Sequence, residues 1–272
     1  MATEILEGPL GEWRAASTAA GGTALTTTAL RIPLPRGSKM VQLIPRNFST
    51  AVVAQFNTNP WLTILKTTDL LATAAAITDY SEQAQDLDTA TDVDLSSLST
   101  IAALDAVYVG ALVPFRGVEI DVDAANVNAS VLTVKYWNGS AWTDITATDG
   151  TDSAGASMAI DGNVTWTVPA SWVSRTLVEI GDASRNLQLG ILQNLNLYWT
   201  RWEFSATLDA TTTQNSWIAM NRSTAYAELP DGAAQEFAVT VGPGGIFSVE
   251  AKVNAGTGNL IINVSTRQGG RF

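Results

Sequence analysis

The sequence predicts an all-β protein, with two β-sandwich or jelly-roll-like domains and an extended N-terminal arm. Three observations carry that expectation. The stretch LTVKYWNGSAWTDI (Leu132–Ile145) has the two-residue period of a strand with distinct faces, Leu132, Val134 and Tyr136 alternating with Thr133, Lys135 and Trp137. Asn138-Gly139 follows, the dipeptide that most readily occupies the two positive-φ positions of a tight hairpin turn. Ala141, Thr143 and Ile145 then alternate with Trp142 and Asp144 as the returning strand. Second, short alternating runs recur along the chain with Gly, Pro, Asn and Asp between them. Third, the one helical signal is a turn or two in DLLATAAAIT (Asp69–Thr78).

Taken in order, residues 1–30 are rich in Ala, Thr and Gly and read as an arm held by a neighbouring subunit, or as a loose tail. Leu30–Leu34 alternates before the turn at Pro35-Arg36-Gly37. Met40–Ile44 and Ala51–Phe56 read as strands, and Trp61–Leu65 as another after a break at Asn59-Pro60. A long polar connection holding Asp86, Asp88, Asp92 and Asp94 leads to Leu104, a length that serves binding or packing against another chain. Ala106–Leu112, the alternation of Val118, Ile120 and Val122, the hairpin, Val164–Val168 and Leu195–Phe204 form a β-rich block. Trp217–Met220, Glu236–Val241, Phe247–Val253 and Leu260–Val264 are the last strands, with turns at Gly242–Gly245 and Asn254–Asn259. Each flank supplies half a sandwich. The expected division is therefore an arm over 1–30, a discontinuous outer β-domain over 31–105 plus 205–272, and a jelly-roll-like sandwich over 106–204. Two consecutive domains are the rival arrangement.

Composition removes whole classes of function. The 272 residues are 46% hydrophobic and 15% charged, enough for one large or two ordinary cores and too apolar for disorder. A formal charge of −11, from 15 bases against 26 acids, repels polyphosphate, so nucleic acid is not an expected partner. The absence of histidine and cysteine removes Ser-His and Cys-His hydrolases and ordinary zinc sites. No phosphate-binding GxxxxGK[ST] loop is present, and no cofactor is expected. No pair among the 26 acids stands out as a glycosidase pair, so the chain is read as a non-enzyme without catalytic residues. No apolar run approaches the roughly 18 residues of a membrane helix. The start, MATEILEGPLGEW, carries acids and lacks the basic and apolar regions of a secretory signal. The six Asn-x-Ser/Thr matches (Asn47, Asn128, Asn138, Asn163, Asn221 and Asn263) then reflect an Asn- and Thr-rich β-protein rather than glycosylation.

Three features bear on binding. Asp86, Asp88, Asp92 and Asp94 are hard oxygen donors, but the glycine and downstream bidentate acid of a calcium loop do not fall in place. They read as a solvated acidic loop. Nine tryptophans are an excess: Trp142, Trp166 and Trp199 are assigned to the core, and Trp13, Trp61 and Trp217 stand as interface anchors. Charge is split along the chain. Between Trp13 and Thr68 there is no acid but six bases (Arg14, Arg31, Arg36, Lys39, Arg46 and Lys66), and from Thr67 to Phe115 eight acids and no base. The split either docks the basic segment on an acidic neighbour or blocks strand edges against aggregation.

The blocks VYVGALVPFRGVEIDV (Val107–Val122), LTVKYWNGSAWTDI, DGT (Asp149–Thr151) and GNVTWTVPASW (Gly162–Trp172) together resemble a module of tailed-phage virion structural proteins. LPRGSKM near the start and NAGTGNLIINV near the end have the same flavour. In the usual pattern the strand after Trp172 leads directly to a YW-R motif, whereas here Ser174–Asn194 intervenes before Tyr198-Trp199-Thr200-Arg201. The resemblance implies a virion protein assembled in a host cytoplasm as a symmetric homo-oligomer, a trimer being favoured. It implies a head decoration or cement protein that binds the major capsid protein and copies of itself. On that reading Trp13, Arg14, Arg31, Arg36 and Arg46 are capsid contacts, with Trp61 and Trp217 beside them. A tail, baseplate or fibre component and a carbohydrate-binding module for host adsorption are the alternatives.

Overall fold

The computed structural model describes residues 6–8, 11–15, 21–49, 53–86, 88–180 and 192–266, with the backbone alone for 6–8, 11–15 and 192. The chain is all-β and built from antiparallel sheets. It divides into two compact units, 1–61 with 223–272 and 62–222. The first unit begins with β1 (Leu6–Gly8), β2 (Gly11–Ala15), β3 (Thr23–Leu25), β4 (Leu30–Pro33), β5 (Met40–Arg46) and β6 (Val53–Pro60). The second holds β7 (Thr63–Thr67), β8 (Ile77–Asp79), β9 (Val93–Asp94), β10 (Ala106–Ala111), β11 (Phe115–Ala124) and β12 (Leu132–Trp137). It continues through β13 (Trp142–Asp144), β14 (Thr148–Asp149), β15 (Gly162–Thr165), β16 (Tyr198–Phe204) and β17 (Thr213–Asn221). The first unit is completed by β18 (Ala227–Pro230), β19 (Gln235–Ala238), β20 (Ile246–Val253) and β21 (Gly258–Ser265).

The divisions at 61/62 and 222/223 differ from those expected at 105/106 and 204/205. The reason is pairing. β7 lies between β10 and β8, and β17 lies between β11 and β9, so residues 62–105 and 205–222 complete the sheets of the second unit. Alternation in sequence says that a segment is a strand but not which sheet it joins.

In the first unit one sheet runs β1-β2-β21-β5-β19, with β3 also on β21, and the other runs β18-β6-β20-β4. Val41, Leu43, Leu260, Ile262 and Val264 of one sheet and Ile32, Ala54, Val249, Ala251 and Val253 of the other share one core. That is the packing of a sandwich, with β5 burying alternate residues along its length. The segment read as an arm takes part in it. Arg14 and Ala15 pair with Val264 and Asn263, Thr23–Leu25 pairs with Leu260–Gly258, and Leu25 is 1% exposed. Pro60 ends β6 instead of breaking it, at a terminal position where its missing N–H costs no interior ladder bond.

In the second unit the sheets run β13-β12-β16-β10-β7-β8 and β14-β15-β11-β17-β9. Val107, Val109, Val134 and Trp202 from the first meet Phe115, Val118, Ile120, Val164 and Trp217 from the second in the main core. The other face of the six-stranded sheet is covered too. Ala106, Tyr108, Trp137 and Trp199 pack there under Leu70, Leu71, Leu177 and Ile180, so β10 is buried along its whole length. Gly110 permits this: a Cβ there would lie 2.7 Å from the Trp199 ring.

The hairpin pairs Trp137 with Trp142 and Lys135 with Asp144. Its turn is wider than the dipeptide predicts. Of Asn138 and Gly139 only the glycine has positive φ (101°), and four residues, Asn138–Ala141, make the connection. The Asn138 side chain organises it, Oδ1 accepting from the backbone N–H of Ser140 and Ala141 (2.9 Å each) and Nδ2 donating to Thr143 Oγ1 (3.0 Å). The expected helix over Asp69–Thr78 shrinks to one 3₁₀ turn at Ala74–Ala76. Leu70 and Leu71 are both left-handed (φ 52° and 67°), which a right-handed helix cannot accommodate. The Asp69 carboxylate takes the N–H groups of Ala72 and Thr73 instead.

Candidate functional site

Three of the seven residues expected to grip a partner, Arg31, Trp61 and Trp217, are engaged inside the protein. Arg31 Nε lies 2.9 Å from Glu250 Oε2, with side-chain exposures of 10% and 1%, and Tyr226 donates its hydroxyl to Glu250 Oε1. Trp61 is 4% exposed and meets Phe247 edge-on, with the Arg36 guanidinium 6.0 Å from its ring centre. Trp217 is fully buried against Trp202, ring centres 4.9 Å apart. Trp61 and Trp217 are therefore core residues and not surface anchors. A tryptophan in an alternating strand reads the same from either face, so the sequence left the choice open. Arg36 and Arg46 are exposed. Trp13 and Arg14 lie on the backbone of β2, and their side chains fall outside the described residues.

The tryptophan excess is a property of the core. Trp137, Trp166, Trp172, Trp199 and Trp202 are at most 8% exposed, and Trp142 is half-buried between Tyr108, Trp137 and the Arg201 guanidinium. Edge-on contacts link Trp166 to Phe115 and Trp202, and Trp172 to Tyr136 and Tyr198. Among the tryptophans whose side chains are described only Trp142 is not buried, and the Arg201 guanidinium lies 5.0 Å from its ring centre.

The acidic connection is a packed edge with its carboxylates in turns. Ser81, Gln85, Val93, Leu95 and Leu98 are buried. Gln85 closes on Leu62, accepting its N–H at 2.8 Å and donating to its carbonyl at 2.6 Å. Asp86 accepts from the Asp88 N–H and the Thr91 hydroxyl, Asp88 from the Ala90 N–H and Asp94 from the Ser96 N–H. Among the described residues no three carboxylates converge as a metal site would require. Asp92 and Asp94 part company electrostatically. Burial, then Asp123 and Asp94, raise the Asp92 carboxyl above its ordinary value. Burial also pushes Asp94 up, but the Ser96 hydroxyl and N–H, with Lys66, more than offset it and hold Asp94 low. A carboxyl depressed on folding adds stability that is complete above its unfolded pKa, near about 4, and is lost as pH falls through the folded value. Asp94→Asn is therefore expected to lower the melting temperature at neutral pH and to flatten its fall in acid. An acid limb as steep as that of the unsubstituted chain would contradict this.

The charge split follows the units. Residues 62–222 carry 7 Lys and Arg against 19 Asp and Glu, a net of −12, whereas 1–61 with 223–272 carry 8 against 7. Within the acidic unit one surface stands out that sequence patterning did not mark. The loops after β11 and before β15 form a shallow depression of about 330 Å³, lined by Val127 and five alanines together with Asn126 and Ser153. Val127 is 74% exposed, and the same loops expose Val131 (59%) and Ile160 (47%). Buried polar groups fix these loops. Asn126, 1% exposed, donates to the carbonyls of Asn128 and Ser157 and accepts the N–H groups of Asn128 and Asp209. Ser157 Oγ accepts the Leu132 N–H, and Ser130 Oγ donates to the Ala206 carbonyl. The apolar side chains are thus held outward by a satisfied framework. Loop residues without periodicity gave no signal of this in the sequence.

No family model matches the chain, and no curated protein or solved structure is significantly similar to it.

Proposed function

We propose that this protein is a non-enzymatic structural component of a tailed-phage virion, a head decoration or cement protein that binds the major capsid lattice. One observation carries the reading. The blocks within residues 62–222 that resemble virion modules contribute strands to its sheets: Val107–Val122 covers most of β10 and β11, Leu132–Ile145 is the hairpin, and Gly162–Trp172 holds β15 and two core tryptophans. What supports the reading is that many of the resembling positions fall on strands of one core. Polar side chains used up in turns and ion pairs support a role in adhesion over one in chemistry, and the buried tryptophans weigh against glycan binding.

The test is to ask whether the chain is part of a particle. Phage particles produced by a strain carrying the gene, purified through a density gradient, are expected to contain the chain at a fixed number of copies per head. Tail-only fractions containing it would assign it to the tail, and particles lacking it would end the reading. Attachment through the N-terminal segment has its own check. Removing residues 1–22 spares β3 and the buried Leu25, and should lower head occupancy; unchanged occupancy would remove that segment from the contact.

A further inference from the structure

We propose that the loop surface around Val127 in residues 62–222 docks a polypeptide segment that carries apolar side chains beside Lys or Arg, supplied by a different chain. This goes beyond the virion reading and does not depend on it. The argument has three parts. The depression is lined mostly by small apolar side chains, Val127 and five alanines, with Asn126 and Ser153 as its polar members, and Ile160 is next in the chain to Ala159. It is preorganised, because Asn126, Ser130 and Ser157 fix the loops from beneath and little ordering remains to be done on binding. Its charge has one sign. Asp123, Asp152, Asp161 and Asp209 belong to the loops or adjoin them, and residues 117–134 and 136–174 contain no Lys or Arg. Asp209 is anchored to the framework through its N–H on Asn126, and its carboxylate accepts from the Thr211 hydroxyl.

Charge complementarity selects the occupant. An apolar centre in an acidic field excludes acidic partners and favours segments in which Lys or Arg flank aliphatic side chains. A second copy of the same surface does not fit. It would oppose like-charged units of −12 each. A patch of this kind also covers a few hundred Å² at most, where a stable pair of proteins buries about 800 Å² on each partner.

The full-length chain should be titrated by fluorescence anisotropy with three labelled peptides: one alternating Lys and Val, one alternating Lys and Ser at the same charge, and one alternating Ser and Val. The Lys–Val peptide is expected to bind at least about tenfold more tightly than either control, with an affinity that falls as salt rises. The Val127→Ser/Ile160→Ser variant, with an unchanged melting temperature, should bind Lys–Val no better than Lys–Ser. Equal binding of Lys–Val and Lys–Ser would show charge alone at work and overturn the proposal, as would undiminished binding by the variant. Sedimentation of the chain alone supplies the last outcome: self-association abolished by the same substitutions would make a second copy the occupant and overturn the proposal too.

Discussion

Trp217→Ala is expected to destabilise residues 62–222 by about 4 kcal/mol, among the largest effects of any single substitution in the chain. The ring is fully buried where β17 meets the six-stranded sheet, tilted against Trp202 at 4.9 Å, in a core it shares with Phe115, Ile120 and Val164. Truncation to a methyl group leaves a void that two sheets held by interstrand bonds cannot collapse to fill. A finer comparison separates packing from hydrogen bonding. Trp202 Nε1 donates to Thr200 Oγ1 at 2.9 Å, whereas Trp217 Nε1 is buried without a partner. Replacing Trp202 with Phe loses a satisfied bond as well as volume. Replacing Trp217 with Phe removes an unsatisfied donor, which returns part of the volume cost. Trp202→Phe should therefore cost about 2 kcal/mol and Trp217→Phe about 1 kcal/mol or less. Urea unfolding followed by circular dichroism measures both. Equal losses would mean that the indole N–H groups are energetically alike. A Trp217→Ala chain with an unshifted midpoint would return that residue to the interface role that its place among nine tryptophans first suggested.

The same pair of residues marks where sequence reading succeeds and where it stops. Period-two alternation identified β4, β11, β12 and β16, because a strand with two unlike faces must alternate, whereas β10 is buried on both faces and was legible as a short apolar run. The faces of the hairpin were legible for the same reason but its register was not: a two-residue turn at Asn138-Gly139 would set Trp137 opposite Ser140, whereas Trp137 pairs with Trp142 across a connection organised by the Asn138 side-chain oxygen. What alternation cannot supply is the identity of the neighbour. Trp61–Leu65 and Trp217–Met220 were strands from the start, but only their pairing assigned β7 and β17 to the sheets of the second unit. The arm shows the other failure. Thr23-Ala24-Leu25 is three residues of low-complexity sequence, too short to display a period, and it became a core strand because β21 offered it an open edge. The apolar loops around Val127 were silent in the sequence because their arrangement rests on contacts between segments 25 to 83 residues apart, such as Ser157 with Leu132 and Asn126 with Asp209.

Arg31 poses the second large test, since a basic residue on an early strand reads as a docking contact and the structure makes it half of a buried ion pair. Its Nε lies 2.9 Å from Glu250, across the pairing of β4 with β20, where Arg31 and Glu250 stand opposite each other. Arg31→Met leaves a carboxylate at 1% exposure with the Tyr226 hydroxyl still donating to it, and should cost about 3 kcal/mol. Glu250→Met removes the carboxylate that faces the guanidinium and should cost a similar amount. The double substitution removes both charges from the interior, and because two desolvation penalties vanish with the attraction, it is expected to lie within about 1 kcal/mol of the unsubstituted chain. Exposed Arg46 serves as the control, with Arg46→Ala changing stability by no more than about 0.5 kcal/mol. Additive losses in the double variant would show that the two side chains act separately. If Arg31→Met left stability unchanged and lowered head occupancy, the arginine would face a partner after all, and the ion pair would not be what holds β4 against β20.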